Sequence, residues 1–546
     1  MKRIILIILI MLSQKALADP SSYQSYQVTV NDITFVIDHK LELFNIIAIQ
    51  AGHPKMSLSN IPYKEECIRY FKDIESNKAP EILFETFQKG WAIDDPISFL
   101  LYLDDQFQLK DGLDKGVIER GGGLKQLNKL ASAMSTFAKA NDYKIFFNDI
   151  KRPFYEQILQ NSAYNFRDFT IIDNMEAYFG QKKNSYNILL NLTGGYGNFG
   201  KSITRNTKTD LYAIIETNTH SGSLPTYNPS IGLTELIIHE FNHGFINPIF
   251  DQYITEVQKS EHLYEPIKSS MQQQGYWDWR VTVNEHIVRA AVVEITKTYY
   301  NNELSKHLFY KLLKVRRFIY TDLILGALDD YTQNREKYLN FDQFMPTLLE
   351  VFNKIPETYI TEKQNEVEAI RHTNIPEVPK PYEFAKDSTT YFIVSSKEDD
   401  ALLQQKMIDW VDSYRKMFSD KIQLITDKEA LKKDLSNSDI VLFGTPSGNL
   451  MLQKHLSNLP VIIKENFIIT NRQIKAKDLQ LVTSWVNPYN PKKTMSIYTA
   501  QQVEHIINFN FSPSKDNFHY WVAKNLVCLD KGNFESYGRL WRPNLY

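Results

Sequence analysis

The chain reads as two folded parts: a mainly helical α+β domain with a small sheet, then an α/β domain with a mostly parallel sheet. Three observations predict this. Residues 233–245 and 284–295 are apolar, helix-forming runs that carry histidines and glutamates. The stretch 356–390 holds Pro376, Pro379 and Pro381 among charges, as an exposed linker would. Beyond it, short apolar runs alternate with helical segments, the sign of a parallel sheet wrapped by helices.

At 546 residues the chain is too long for one ordinary core. The expected division is a targeting segment at 1–18, a first domain at 19–355, a linker at 356–390 and an α/β auxiliary domain at 391–546. In the targeting segment Lys2 and Arg3 precede an apolar core from Ile4 to Leu12, and Ala16-Leu17-Ala18 is a small-x-small cleavage site. That core is too short to span a bilayer. The mature protein is therefore expected to be exported, periplasmic or extracellular, without stable membrane insertion. A formal net charge of −2 gives no reason to expect nucleic acid as a partner. Cys67 and Cys528 are the only cysteines, so a disulfide framework is ruled out; two free buried thiols are the default and one long-range disulfide is possible.

Element by element, residues 27–30 and 33–37 read as a strand pair across Asn31-Asp32, and Leu41 to Ala51 as a helix ending at Gly52. Helical spacing fills 63–103, stops at Gly121-Gly122-Gly123 and resumes over 124–140. Tyr143 to Asn148, Tyr186 to Leu192 and Leu211 to Thr217 are expected strands, with 211–216 as the sheet edge. Gly195-Tyr196-Gly197-Asn198-Phe199-Gly200 matches G-x-G-x-x-G, but the polar run 201–210 opens no helix, so a nucleotide site is rejected in favour of a loop or hairpin connection. His220 lies in the loop before the next helix, where a solvated histidine is the ordinary outcome. After residue 295 the chain stays helical to about Asn353. In the last third, strands are expected near 391–394, 422–426, 440–443, 481–485, 495–499 and 520–523. Gly444 to Asn449 follows one of them at its C-terminal end, where such folds bind ligands.

The chemistry is concentrated in Ile237-Ile238-His239-Glu240-Phe241-Asn242-His243-Gly244-Phe245. On a helix, residues four apart share a face, so His239 and His243 can offer two imidazoles to one metal ion. Glu240 can reach a water on that ion as a general base. Pro248 is expected to stop the helix. A tetrahedral catalytic site needs a third protein ligand. The extended pattern H-E-x-x-H-x-x-G-x-x-H is excluded, because Ile246 and Ile249 stand at its later positions. A glutamate on a later helix fits: Glu285, in the run 284–291, with His286 and Glu294 as alternatives. Arg289 lies one turn from Glu285 and is a partner for its carboxylate. Tyr276-Trp277-Asp278-Trp279 precedes this run, either lining the cleft or turning both tryptophans inward.

With these residues in place the chain resembles the glutamate-ligand zincin (gluzincin) metallopeptidases. It resembles more closely a family of secreted bacterial proteins catalogued only as a domain of unknown function. The matching pieces are Asp38 to Leu43, His239 to Pro248 and Glu285 to Arg289, over roughly residues 28–350. The resemblance implies a zincin-like fold, Zn²⁺ held by His239, His243 and Glu285, and Glu240 as catalytic base acting on a peptide or protein substrate. Two rivals remain: a non-catalytic, zinc-stabilised binding protein of the cell envelope, and an interaction protein whose C-terminal domain carries the function.

Overall fold

The computed structural model describes residues 23, 25–53, 61–72, 78–91, 94–194, 197–217, 220–314, 316–371, 378–470, 472–507, 518–524, 527–537 and 540–543. The targeting segment 1–18 lies outside these residues. The chain divides into two compact units, residues 1–228 with 236–245, and residues 229–235 with 246–546. Both helices and sheets build the protein, an α+β fold. Among the described residues no helix is long and apolar enough to cross a membrane.

The first unit is built on a five-stranded sheet of β1 (Tyr26–Val30), β2 (Ile33–Ile37), β3 (Ser185–Asn191), β4 (Phe199–Arg205) and β5 (Lys208–Glu216). Its order is β1-β2-β3-β5-β4. Asn31 and Asp32 turn the first hairpin with φ of 46° and 62°, the left-handed pair that a two-residue hairpin needs. β2, β3 and β5 run parallel, whereas β4 returns antiparallel to β5 and forms an edge. The edge is therefore β4 and not 211–216. Asn206 and Thr207, with φ of 48° and 69°, fold the polar run back into a strand whose polarity reflects its exposed face. Residues 143–148 are also not a strand: Ile145–Ile150 is a wide helical turn. Tyr143, Phe146 and Phe147 are buried at i, i+3 and i+4, which is helical spacing.

Helix α1 (His39–Gln50) is capped by Asp38, which accepts from the amides of Lys40 at 2.8 Å and Leu41 at 3.1 Å. One turn in, Glu42 is wholly buried. The Tyr63 hydroxyl donates to its Oε2 at 2.8 Å and lies 2.7 Å from the Tyr155 hydroxyl. Burial pushes the Glu42 carboxyl up to about 8, so it holds its proton at neutral pH.

Helix α2 (Ile231–Phe250) carries the H-E-x-x-H residues and starts at Ser230, whose hydroxyl accepts from the Leu233 amide at 3.0 Å. Phe245 stacks on Phe179 with ring centroids 4.5 Å apart, and Phe241 meets Tyr186 at 5.5 Å. Each such buried ring contributes about 2–3 kcal/mol. Two glycines set how closely α2 lies on the sheet. A Cβ on Gly244 would come within 2.3 Å of Leu211 Cδ2 on β5, and one on Gly200 within 2.1 Å of the Glu240 carbonyl oxygen. Pro248 does not stop α2, which continues to Phe250. Only one amide is lost there, and the proline φ is itself helical.

The second unit contains α3 (Trp279–Tyr299), capped by Asp278 through the Val281 amide at 2.8 Å. Residues 357–371, expected to be extended linker, form a helix instead. The prolines follow this segment, which is rich in helix formers. Its Tyr359 hydroxyl donates to the Ile319 carbonyl at 2.9 Å, and Val367 is buried. Pro376 lies outside the described residues.

Seven of the strands that follow form one sheet: β6 (Thr390–Val394), β7 (Gln423–Thr426), β8 (Asp439–Phe443), β9 (Leu479–Asn487), β10 (Asn490–Ala500), β11 (Tyr520–Lys524) and β12 (Val527–Gly532). They order as β12-β11-β9-β10-β8-β6-β7. The pairs from β10 to β7 are parallel and those from β10 to β12 antiparallel, so the sheet is mixed, not mostly parallel. The Asn487–Asn490 turn makes β9 and β10 a hairpin, and a hairpin can only be antiparallel. Two bonds tie this part to the helices of its unit. Asn301 Nδ2 donates to the Leu459 carbonyl at 3.2 Å, and the Gln473 amide to the Pro229 carbonyl at 3.0 Å. Cys67 is buried and Cys528 exposed, and no disulfide joins them.

Two predictions follow from this packing. Gly200→Ala drives a methyl into the Glu240 carbonyl and is expected to lower stability by about 1–3 kcal/mol in thermal or denaturant unfolding; unchanged stability would remove the close contact. Glu42 has a folded-state pKa above its unfolded value of 4.5, so its stabilisation is complete below that value and is lost as pH rises toward 8. Glu42→Gln should therefore flatten the fall in unfolding free energy between pH 5 and pH 8, and an equal fall in both proteins refutes the assignment.

Candidate metal centre

His239 and His243 sit one turn apart on α2, and their rings lie 4.9 Å apart at 82°. With Glu240 they form a group whose ligand atoms all lie within 4.8 Å of one another. His239 is 9% and Glu240 6% exposed, while His243 is half-buried. The helix around them is apolar, with Ile237, Ile238, Phe241 and Phe245 at 1% exposure or less. Two imidazoles and a carboxylate gathered in such a setting carry a desolvation cost that a bound cation offsets. Nitrogen and oxygen donors of this kind fit zinc or a similar divalent transition ion.

Glu285 is not a member of that group; it lies on α3 in the second unit. Its Oε2 is 3.0 Å from Arg289 Nε and accepts from the Tyr276 hydroxyl at 3.3 Å. Arg289 Nη2 in turn donates to the Tyr276 oxygen at 3.0 Å, closing a three-membered ring of contacts. The two side chains of the ion pair are only 11–13% exposed, so this is not a pair on a wet face. Burial opposes the Arg289 charge, but Glu285 and Tyr276 raise its pKa.

The alternatives to Glu285 are engaged differently. His286 Nδ1 donates to the Thr282 carbonyl at 2.8 Å, and its ring packs 4.5 Å from Phe318 and 5.5 Å from Tyr320. Burial pushes its pKa down to about 4, leaving a neutral core imidazole. Glu294 pairs with Lys297 at 3.4 Å. Nine residues on from Glu285, it points to the opposite side of α3.

Within the second unit, the Glu285–Arg289 side of α3 is the one that senses Glu235. Glu235 stands at the fifth position of α2, past its first turn, and is held 3.1 Å from Lys311 Nζ. Its charge acts on both Arg289 and Arg316. His220, by contrast, is exposed, with its ring bonded to the Gly222 carbonyl at 2.8 Å. Of the two tryptophans beside Tyr276, Trp279 is buried and Trp277 is 68% exposed. The Gly444–Asn449 loop is filled from within its own unit. Glu398 accepts from the Thr445 amide at 2.9 Å and from its hydroxyl at 2.6 Å, and a Cβ on Gly448 would lie 2.2 Å from the Glu398 carboxyl carbon.

The spacing rules did not reach Gly200 or Gly244. For Gly244 the signal was available, since it stands inside a helix with no turn to explain it, the mark of close packing; Gly200 fell in a stretch read as a connection, which hid its close approach.

No curated protein and no solved structure matches the chain. A family model, described as a domain of unknown function (DUF4932), matches residues 33–351. That span is more than half of the chain. It runs from β2 through the histidines of α2, Glu285 and Arg316, and it ends before the seven-stranded sheet. The chain belongs to the DUF4932 family.

Proposed function

We propose that this protein is an exported zinc-dependent hydrolase that cleaves peptide bonds, with His239, His243 and Glu285 as the metal ligands and Glu240 as general base. The observation that carries the reading is the convergence of two imidazoles and a carboxylate within 4.8 Å, beside the buried apolar Ile237, Ile238, Phe241 and Phe245. The donor set favours zinc over calcium or magnesium, which take oxygen ligands. Glu285 is the proposed third ligand because it is a buried carboxylate on a separate helix, held by polar partners and not enclosed by rings as His286 is. Arg289 and Tyr276 hold its carboxylate in one orientation, the role that outer partners play for metal-binding carboxylates.

Zinc, when bound, supplies the Lewis acidity that brings the pKa of a water toward about 7. Glu240 accepts the proton of the attacking water and returns it to the leaving amine. The apolar neighbours of Glu240 keep bulk water away and so strengthen its interaction with that proton. The edge strand β4, which passes Glu240 at Gly200, supports an extended peptide as substrate, since an edge offers main-chain donors and acceptors in register.

Metal analysis of the purified protein is expected to find near one zinc per chain, with His243→Ala and Glu285→Ala both losing it or binding it much more weakly. No zinc after reloading would sink the reading, and zinc retained at full strength by Glu285→Ala would remove that residue from the ligand set. Glu240→Gln should keep the metal while hydrolysis of peptide substrates falls about 10²–10⁴-fold. Retained activity in that variant would take the base role away from Glu240.

A further inference from the structure

Within the second unit, one buried histidine joins segments that are far apart in the sequence. His519 stands just before β11 and is 4% exposed. Its Nε2 lies 2.9 Å from the Val378 carbonyl oxygen, and its Nδ1 accepts from the Phe534 amide at 3.0 Å. A carbonyl only accepts and a backbone amide only donates, so these two partners define the ring completely. Nε2 carries the hydrogen, Nδ1 presents its lone pair, and the imidazole is neutral.

The surroundings enforce that state. The Lys380 ammonium stands 3.4 Å from Nδ1 and donates to Asn533 Oδ1 at 2.9 Å. The Phe534 ring stacks on the imidazole at 5.4 Å and on Tyr520 at 5.6 Å, with Trp485 at 5.8 Å. Of the charged groups around the ring, Lys380 opposes a proton on it, and Glu383, which accepts from the Lys380 amide, favours one. On the paired strand β12, Asp530 is engaged by Thr470 and Lys531 lies over the Phe518 ring. β9 brings the uncharged Thr483, whose hydroxyl donates to the His519 carbonyl at 3.1 Å. Burial and the Lys380 charge together push the His519 pKa down to about 4.

A proton on Nδ1 turns the acceptor of the Phe534 amide into a second donor. It leaves that amide without its partner and sets one buried cation beside another. What these contacts hold is the segment at Val378 and Lys380 against the start of a hairpin of β13 (Phe534–Tyr537) and β14 (Leu540–Pro543). The hairpin in turn packs on the helix Asn302–Lys314. We propose that His519 is a proton-sensitive latch, closed at neutral pH, that frees the β13–β14 hairpin and the segment at Val378 when the surroundings of this protein turn acidic. The closed ring binds no proton, and the opened ring binds one. The latch is therefore at full strength above pH 6.5, the ordinary pKa of a histidine, and weakens as pH falls from there toward 4.

The test is hydrogen exchange of the purified protein at pH 7 and pH 5, read by mass spectrometry and corrected for the intrinsic pH dependence of amide exchange. Peptides that carry residues 533–537 should exchange about twentyfold faster at pH 5 than at pH 7, the ratio that follows when opening takes up one proton. Peptides from the central strand β8 should not change. His519→Gln puts a side-chain amide in place of the ring and does not titrate. Its exchange over 533–537 should therefore be equal at the two pH values, whether the latch in that variant stands closed or open. Thermal unfolding at pH 7 shows whether the variant folds, and His519→Asn serves the same comparison where it does not. Exchange over 533–537 that is the same at both pH values in the unsubstituted protein overturns the inference. So does a rise of equal size in the variant.

Discussion

The first unit depends on how closely a helix can lie against the edge of a sheet. At Gly200 the backbone of β4 comes so near the Glu240 carbonyl that no side chain fits between them. At Gly244 the same helix makes room for Leu211 on the neighbouring strand. These two contacts fix the depth and the rotation of α2, and with them the direction in which His239, Glu240 and His243 project. Phe241 and Phe245 complete the seating by packing on Tyr186 and Phe179. The chemistry of the helix is thus inseparable from two residues that carry no chemistry at all.

Much of this was legible in the sequence, for reasons that can be named. The hairpin at Asn31-Asp32, helix α1 and the strands β3 and β5 follow from local periodicity and turn residues, which act over a few positions. The H-E-x-x-H grouping also follows from helix geometry alone. Misreadings arose where tertiary packing overrode a local pattern. β4 is polar because one face meets solvent, so it passed for a connection. Residues 145–150 hold an apolar run short enough to suit a strand or a helix, and only the burial of Phe146 and Phe147 decides between them. The mixed order of the C-terminal sheet depends on a hairpin at Asn487–Asn490 that alternation of apolar runs does not reveal.

The second unit shows a different principle, organisation by charge. On α3 the three candidates Glu285, His286 and Glu294 are separated by what surrounds them. His286 is enclosed by rings and stays neutral, Glu294 answers to Lys297, and Glu285 is gripped by Arg289 and Tyr276. Spacing along the helix named all three residues. Only their partners, drawn from residues 276, 289, 297 and 318, distinguish them.

The hydrogen bond from Gln473 to Pro229 has a bearing on what folds as a unit. The family span ends at residue 351, yet a strand well outside it grips the residue just before the cap of α2, and Leu459 accepts from the buried Asn301. The end of the family span thus lies inside one compact unit and marks no physical boundary. A chain cut at residue 351 would leave the Asn301 amide and the Pro229 carbonyl without these partners, so the matched span is not by itself the unit that folds.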